Sequence, residues 1–163
     1  MRAILLSAGI GKRLRPITKK IPKCLVKIKN KALIDIWIDD LFKKNKINSI
    51  LINTHYLSRK VYSHIKKNRY KKKIKLIYED QLQGTAGTLM NNLDFFKNED
   101  GLLIHCDNYC EEGVKNFLKN YKKMPKNCLM SMLTFRTKKP KTCGIVKTNK
   151  NNIVVKFQEK KKN

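Results

Sequence analysis

Apolar residues along the chain fall into short continuous runs, and these alternate with stretches in which they recur at helical spacing. Residues 3–6 are a continuous apolar run ending in Ser7-Ala8-Gly9, the form of a buried strand entering a tight loop. A long basic loop follows. Leu33, Ile34, Trp37, Ile38, Leu41 and Phe42 then make one apolar stripe of a helix, with Asp35, Asp39 and Lys43 opposite and the adjacent Asp39 and Asp40 expected in solvent. Residues 49–53 predict a second buried strand, Leu57, Val61 and Ile65 a short helix, and residues 74–78 a third strand. Residues 84–92 read as a loop becoming a helix, and residues 101–106 as a fourth strand ending at Asp107. Val114, Phe117, Leu118 and Tyr121 again have helical spacing. Residues 128–135 predict a fifth strand, and residues 143–146 and 153–157, parted by a polar stretch, a β-hairpin or two short strands.

Strands alternating with helices over the first 120 or so residues predict a parallel sheet covered on both faces, because parallel neighbours need a crossover helix. The fold class expected is a three-layer α/β fold with a mostly parallel central sheet. Ligands of such sheets bind beyond the carboxyl ends of the strands, which places residues 7–23, residues 79–87 and Asp107 on one rim. No internal repeat or linker interrupts the pattern, so residues 1–163 are expected to form a single domain.

Composition narrows the classes. The chain is 41% hydrophobic and 31% charged with seven Gly and four Pro, which excludes collagen-like, low-complexity and wholly disordered chains. No apolar run approaches the ~18 residues of a membrane span. The opening segment is too short in apolar residues for a secretory signal, so a cytoplasmic location without membrane contact is expected. Five cysteines without a CxxC pair predict reduced, mostly buried thiols. The net charge of +26 raises nucleic acid as a partner. However, the 38 basic residues comprise 32 Lys and only 6 Arg, beside 16 Asn and 17 Ile, a profile that AT-rich codons alone would produce. Base reading and bidentate phosphate clamps lean on Arg, so nucleic-acid binding is ranked below an enzymatic reading.

The candidate chemistry begins after the first strand. In Gly9-Ile10-Gly11-Lys12-Arg13-Leu14-Arg15-Pro16, glycine amides could approach phosphate oxygens closely. The third glycine of a Rossmann fingerprint is missing, and so is the GK[ST] of a Walker A loop. An ordinary strand-to-loop turn would give the same Gly-x-Gly. Arg13 and Arg15 read equally as loop charges, Asp107 equally as a cap. His55 reads as a turn residue, and His105 as a hydrogen-bonded core histidine.

Taken in order, these blocks resemble a known family. Ala8-Gly-Ile-Gly-Lys-Arg-Leu-Arg-Pro-Ile-Thr18 followed by Pro22-Lys23 is similar to the signature of the sugar-1-phosphate nucleotidyltransferases, also called nucleotide-sugar pyrophosphorylases. Glu79 with Gly84-Thr-Ala-Gly87 resembles the family's base-reading segment, and Asp107 its metal-binding aspartate. Cys143-Gly144-Ile-Val and Phe157-Gln-Glu159-Lys160 resemble its sugar-binding strands.

The resemblance implies a Rossmann-like nucleotidyltransferase fold that joins an NTP and a sugar 1-phosphate, giving an NDP-sugar and pyrophosphate. Leu6, Ala8, Gly9, Gly11, Lys12, Glu79, Gly84 and Thr85 would bind nucleotide. Arg13 would stabilise the leaving pyrophosphate, Lys23 would bridge the attacking phosphate and the α-phosphate, and Asp107 would hold Mg²⁺. Gly144 would belong to the sugar site, where Glu159 would grip sugar hydroxyls and Lys160 the sugar phosphate. A Glu79 carboxylate can only accept hydrogen bonds and guanine offers two adjacent donors, so GTP is preferred and a mannose-type or heptose-type guanylyltransferase is the leading subclass. Family members usually continue beyond the point matching Asn163, where a second metal-binding aspartate is supplied. The expectations are therefore a C-terminally short member, either completed by a partner chain or a second copy, or holding Mg²⁺ by Asp107, phosphates and water alone, or acting as a nucleotide-binding module with little turnover.

Overall fold

The computed structural model describes residues 1–159, and the chain divides into two compact units, Met1–Lys123 and a second from Met124 onward. In the first unit β1 (Arg2–Leu6) leads through three short helical turns to a small antiparallel ladder of β2 (Lys27–Ile28) and β3 (Lys31–Ala32). Then come α1 (Leu33–Asp39), β4 (Ile50–Thr54), α2 (Ser58–Lys66), β5 (Ile74–Tyr78), α3 (Gly84–Met90), β6 (Gly101–His105) and α4 (Lys115–Tyr121). The strands form one parallel sheet in the order β5-β4-β1-β6.

The continuous apolar runs are explained by burial on both faces. Ala3, Leu5, Ile50, Ile52, Leu102 and Ile104 pack with Ile34, Trp37 and Ile38 of α1 and Val61 and Ile65 of α2. The alternate residues Ile4 and Leu51 pack on the other face with Phe95, Phe96 and Leu89. Each such aliphatic side chain contributes about 1.5–3 kcal/mol on burial, which holds helices to both sides of the sheet. The three-layer α/β expectation is thus met. Asn45 ends the α1 segment: its amide N–H donates to the Asp40 carbonyl at 3.1 Å across a wide π-type turn, and its side chain bonds the same oxygen.

The second unit holds an antiparallel hairpin of β7 (Ile145–Thr148) and β8 (Val154–Gln158). Residues 128–135 form no strand, correcting the expectation of a fifth. Among the described residues they make no ladder, and Leu129 and Phe135 are 99% and 77% exposed. Apolar, strand-like composition cannot make a strand without a neighbour to take its backbone groups. Asp40 is also not in solvent: it is buried, its Oδ2 accepting from Val114 N at 3.0 Å, while half-buried Asp39 pairs with Lys31 and Arg69. Helical periodicity registered the apolar stripe and could not see the loop that covers its polar flank.

Candidate active site

Register sets the rim. Leu6 lies opposite Asn53 on one side and His105 on the other, and Asn53 lies opposite Ile77, so four strands end at one level. The residues that follow the four strands, Ser7, His55, Glu79 and Cys106, begin the loops. A cleft of about 660 Å³, counted to its open mouth, lies here within the first unit. Leu6, Ala8, Gly9, Lys23, Glu79, Gly84, Thr85 and Asp107 line it, which brings together most of the residues nominated from sequence.

Two glycines of the first loop differ in role. A Cβ on Gly9 would meet nothing within 4 Å, so its backbone faces open space. Gly11 has φ +70 and a Cβ there would meet Thr18 Cγ2 at 3.0 Å, while Thr18 Oγ1 donates to the Gly11 carbonyl at 2.8 Å. That left-handed turn requires glycine and folds the basic loop back on itself. Gly11 is not among the cleft-lining residues, and neither are Lys12 and Arg13, which lie exposed on the turn Lys12–Leu14. Lys23 follows buried Pro22, and its Nζ donates to Asp107 Oδ2 at 2.5 Å. This ion pair joins the loop after β1 to the end of β6. Asp107 itself is exposed, and its loop is tied down by Trp37 Nε1, which donates to the Asn108 carbonyl at 3.0 Å.

Glu79 does not present its whole carboxylate to the cleft, as base reading from sequence required. It is 3% exposed, and its Oε1 accepts from Asn53 Nδ2 at 2.9 Å and from Thr88 Oγ1 at 2.5 Å. Among the described residues Oε2 receives only a long contact, 3.4 Å, from Gln83 N. A buried carboxylate is stable only with such donors around it, and the fold supplies them from β4 and α3. The remaining face of the segment is backbone: Gly84 has φ +71 and open space where a Cβ would be.

Ser7, Cys24 and Leu82, which line the cleft, lie in or next to the rim segments expected from sequence without having been singled out, whereas Asn53 and Cys106 were missed as cleft residues. For Asn53 a signal existed, a lone amide closing an apolar strand. His105, expected in the core, is exposed at the cleft, because strand alternation turns it away from the buried Ile104 and Cys106. His55 bonds across the rim instead of within a turn of its own, its Nδ1 meeting the Glu79 carbonyl at 2.8 Å. Burial pushes the Cys24 thiol up to about 12 and the Cys106 thiol well above its usual value, so neither serves as a thiolate nucleophile. All five cysteines are free, as expected from their spacing, but only Cys24 and Cys106 are buried, which corrects the expectation of mostly buried thiols.

Gly144 and Glu159 belong to the second unit, where they flank the Ile145–Gln158 pair at one end of the hairpin. The Phe157 ring packs against Gly144, 3.1 Å from where a Cβ would lie. Lys160 lies outside the described residues. No group of three or more His, Cys, Asp or Glu able to hold a metal occurs among the described residues, so Asp107 would offer a single carboxylate. One hard oxygen donor at an open rim suits a cation that takes its other ligands from phosphate and water. Among the described residues no helix is long and apolar enough to cross a membrane.

Residues 2–163 match the protein family described as Nucleotidyl transferase. The chain is similar to the D-glycero-alpha-D-manno-heptose 1-phosphate guanylyltransferase of Campylobacter jejuni, 28% identical over 98% of this chain and 69% of that protein. It is also similar to the choline-phosphate cytidylyltransferase of Streptococcus pneumoniae, 34% identical over 74% of this chain and 49% of that one. Among solved structures, HddC from Yersinia pseudotuberculosis complexed with GMP-PN superposes with a TM-score of 0.70 at 22% identity, covering 99% of this chain and 70% of that chain, which supports the fold. The chain spans from 36% to 69% of the length of the curated relatives it matches over nearly its whole extent.

Proposed function

The chain belongs to the nucleotidyl transferase family, and from that premise we propose that it transfers a nucleotidyl group from an NTP to a sugar 1-phosphate, releasing pyrophosphate. The observation that carries the reading is the cleft itself, where an open glycine backbone, the Lys23–Asp107 pair and the Glu79–Gly84 segment meet at the carboxyl ends of the strands.

The acceptor phosphate is already an anion, so its oxygen can attack the α-phosphorus without a general base. The bond from the α-phosphorus to the acceptor oxygen forms as the bond to the pyrophosphate oxygen breaks. What the chain must supply is alignment of two repelling anions and charge opposite to theirs. In this reading Gly9 and Gly11 give backbone donors to the triphosphate, and Lys12 and Arg13 close over its β- and γ-phosphates from the exposed turn. Lys23 meets the acceptor phosphate and the α-phosphate. Asp107 would hold Mg²⁺, which when bound neutralises phosphate charge. GTP is the first nucleotide to test, because Glu79 Oε2 keeps acceptor capacity and the Campylobacter relative is named a guanylyltransferase. Gly144, Glu159 and Lys160 are the proposed sugar-side residues.

The test is a panel of the four NTPs against hexose and heptose 1-phosphates, with choline phosphate included because a relative carries that name, read as pyrophosphate release and, in parallel, as calorimetric NTP binding. Binding with release supports the proposal. Binding with no release from any acceptor would reduce the chain to a nucleotide-binding half, and absence of NTP binding would overturn the reading altogether.

A further inference from the structure

We propose that Asn53 is a positioning residue of this cleft: with Thr88 it fixes the Glu79 carboxylate, and through its own Oδ1 it holds the amide of Ser7, coupling the base side of the cleft to the phosphate side. The proposal rests on the nucleotidyl-transfer reading of the site.

Asn53 is the fourth of five residues in β4, in a strand otherwise filled by Ile50, Leu51 and Ile52 at its centre. Register sets it beside Leu6, so its side chain meets the first residue beyond β1. Its carboxamide is the one protein side-chain group with both an acceptor and a two-proton donor, and both ends are used. Oδ1 accepts from Ser7 N at 2.7 Å, and Nδ2 donates to Glu79 Oε1 at 2.9 Å and to Thr88 Oγ1 at 3.2 Å. Ser7 closes the loop by donating from Oγ to the Asn53 carbonyl at 2.6 Å. Asn53, Glu79 and Thr88 are 3%, 3% and 0% exposed, so the bonds among these three side chains do not compete with bulk water.

An apolar side chain would fill the end of β4 without carrying a carboxylate into the interior, and a buried polar network is not needed for stability as such. What it supplies is a single geometry. Glu79 Oε1 is held by two donors, whereas among the described residues Oε2 has only the 3.4 Å contact with Gln83 N. The clamp therefore sets the orientation of a carboxylate whose second oxygen retains acceptor capacity. The same amide sets the start of the glycine loop. Thr88 acts on the first of these alone, Asn53 on both.

The experiment measures, by calorimetry, binding of GTP (or whichever of the four NTPs binds the parent most tightly) and of inorganic tripolyphosphate, with thermal melts alongside. Thr88→Val should weaken NTP binding roughly tenfold, the scale set by one buried hydrogen bond to a charged group, and leave tripolyphosphate binding unchanged; Thr88→Ser should restore the parent value. Asn53→Leu should weaken both ligands. Should Asn53→Leu fail to fold, Asn53→Asp gives the decision: it keeps an acceptor for Ser7 N but loses the donor to Glu79, so NTP alone should weaken. Parental NTP affinity in Thr88→Val, or loss of both ligands by the same factor in that variant, would overturn the positioning role. A parent that binds no NTP would instead overturn the functional reading on which it rests.

Discussion

Lys23 and Asp107 neutralise each other before any ligand arrives, and replacing Lys23 by Met should expose what that contact costs a metal ion. Nζ and Oδ2 are 2.5 Å apart, with the side chains 22% and 38% exposed. Bare Coulomb attraction at that separation would be about 7 kcal/mol with an effective dielectric of ~20. Water around both groups and the entropy of fixing the lysine stem reduce the net value, so the pair belongs with partly exposed ion pairs worth about 1 kcal/mol. A divalent cation approaching Asp107 in the free protein must displace Lys23 and give up that amount. Lys23→Met should therefore raise Mn²⁺ affinity of the nucleotide-free chain about fivefold, read by electron paramagnetic resonance with Asp107→Asn as the control that removes binding. With NTP present the sign should reverse, because the lost ammonium can no longer meet the phosphates. Mn²⁺ affinity in the free Lys23→Met chain within twofold of the parent, or below it, would refute the argument.

Arg13 is exposed on its turn and makes no ion pair among the described residues, so Arg13→Ala should leave the melting temperature unchanged while lowering turnover by roughly 10²- to 10³-fold, as pyrophosphate release will show. Gly113→Ala should destabilise by about 1–3 kcal/mol in a thermal melt, since φ is +66 there and the new Cβ would lie 2.2 Å from Asp40 Oδ1. Glu99 is held down to about 2 by the N-terminal ammonium and Arg2; a depressed carboxyl stabilises above its unfolded value and loses that contribution as pH falls toward 2, so the melting-point gap between parent and Glu99→Gln should be full at pH 6 and vanish near pH 2. Cys24 and Cys106 should resist a disulfide reagent in the folded chain, whereas Cys110, Cys128 and Cys143 react.

The strands and helices of the first unit were legible because each carries its own local pattern. A run buried on both faces, such as Ala3-Ile4-Leu5, and a stripe such as Ile34, Trp37, Ile38 and Leu41 state their surroundings in their spacing. The rim was legible for the same reason, since loops after parallel strands must gather at one end. Polar contacts across the fold were not. Nothing local to Asp40 announces that Val114 N and Gly113 will close over it, and nothing local to Glu79 announces Thr88. Residues 128–135 failed in the opposite sense, having the composition of a strand without a partner to make one. Composition speaks for a residue's preference, and pairing is decided elsewhere in the chain.

That Lys23 and Asp107 meet, although 84 residues apart, follows from strand order. From β1 the chain steps outward to β4 and then β5, and it returns across the sheet to place β6 on the far side of β1. Connections leave β1 toward one side and reach β6 from the other, so a crevice opens between the loops that follow these two strands, where such sheets bind ligands. Register then decides which residues face it. Leu6 is level with His105, and alternation buries Cys106 while His105 and Asp107 emerge. A slip of one residue in β6 would bring the buried thiol to the rim and turn the carboxylate inward, removing the one exposed acidic side chain among the described residues that line the cleft. The apolar register of Leu102, Ile104 and Cys106 against the helices therefore fixes the chemistry at the end of the strand as firmly as it fixes the core.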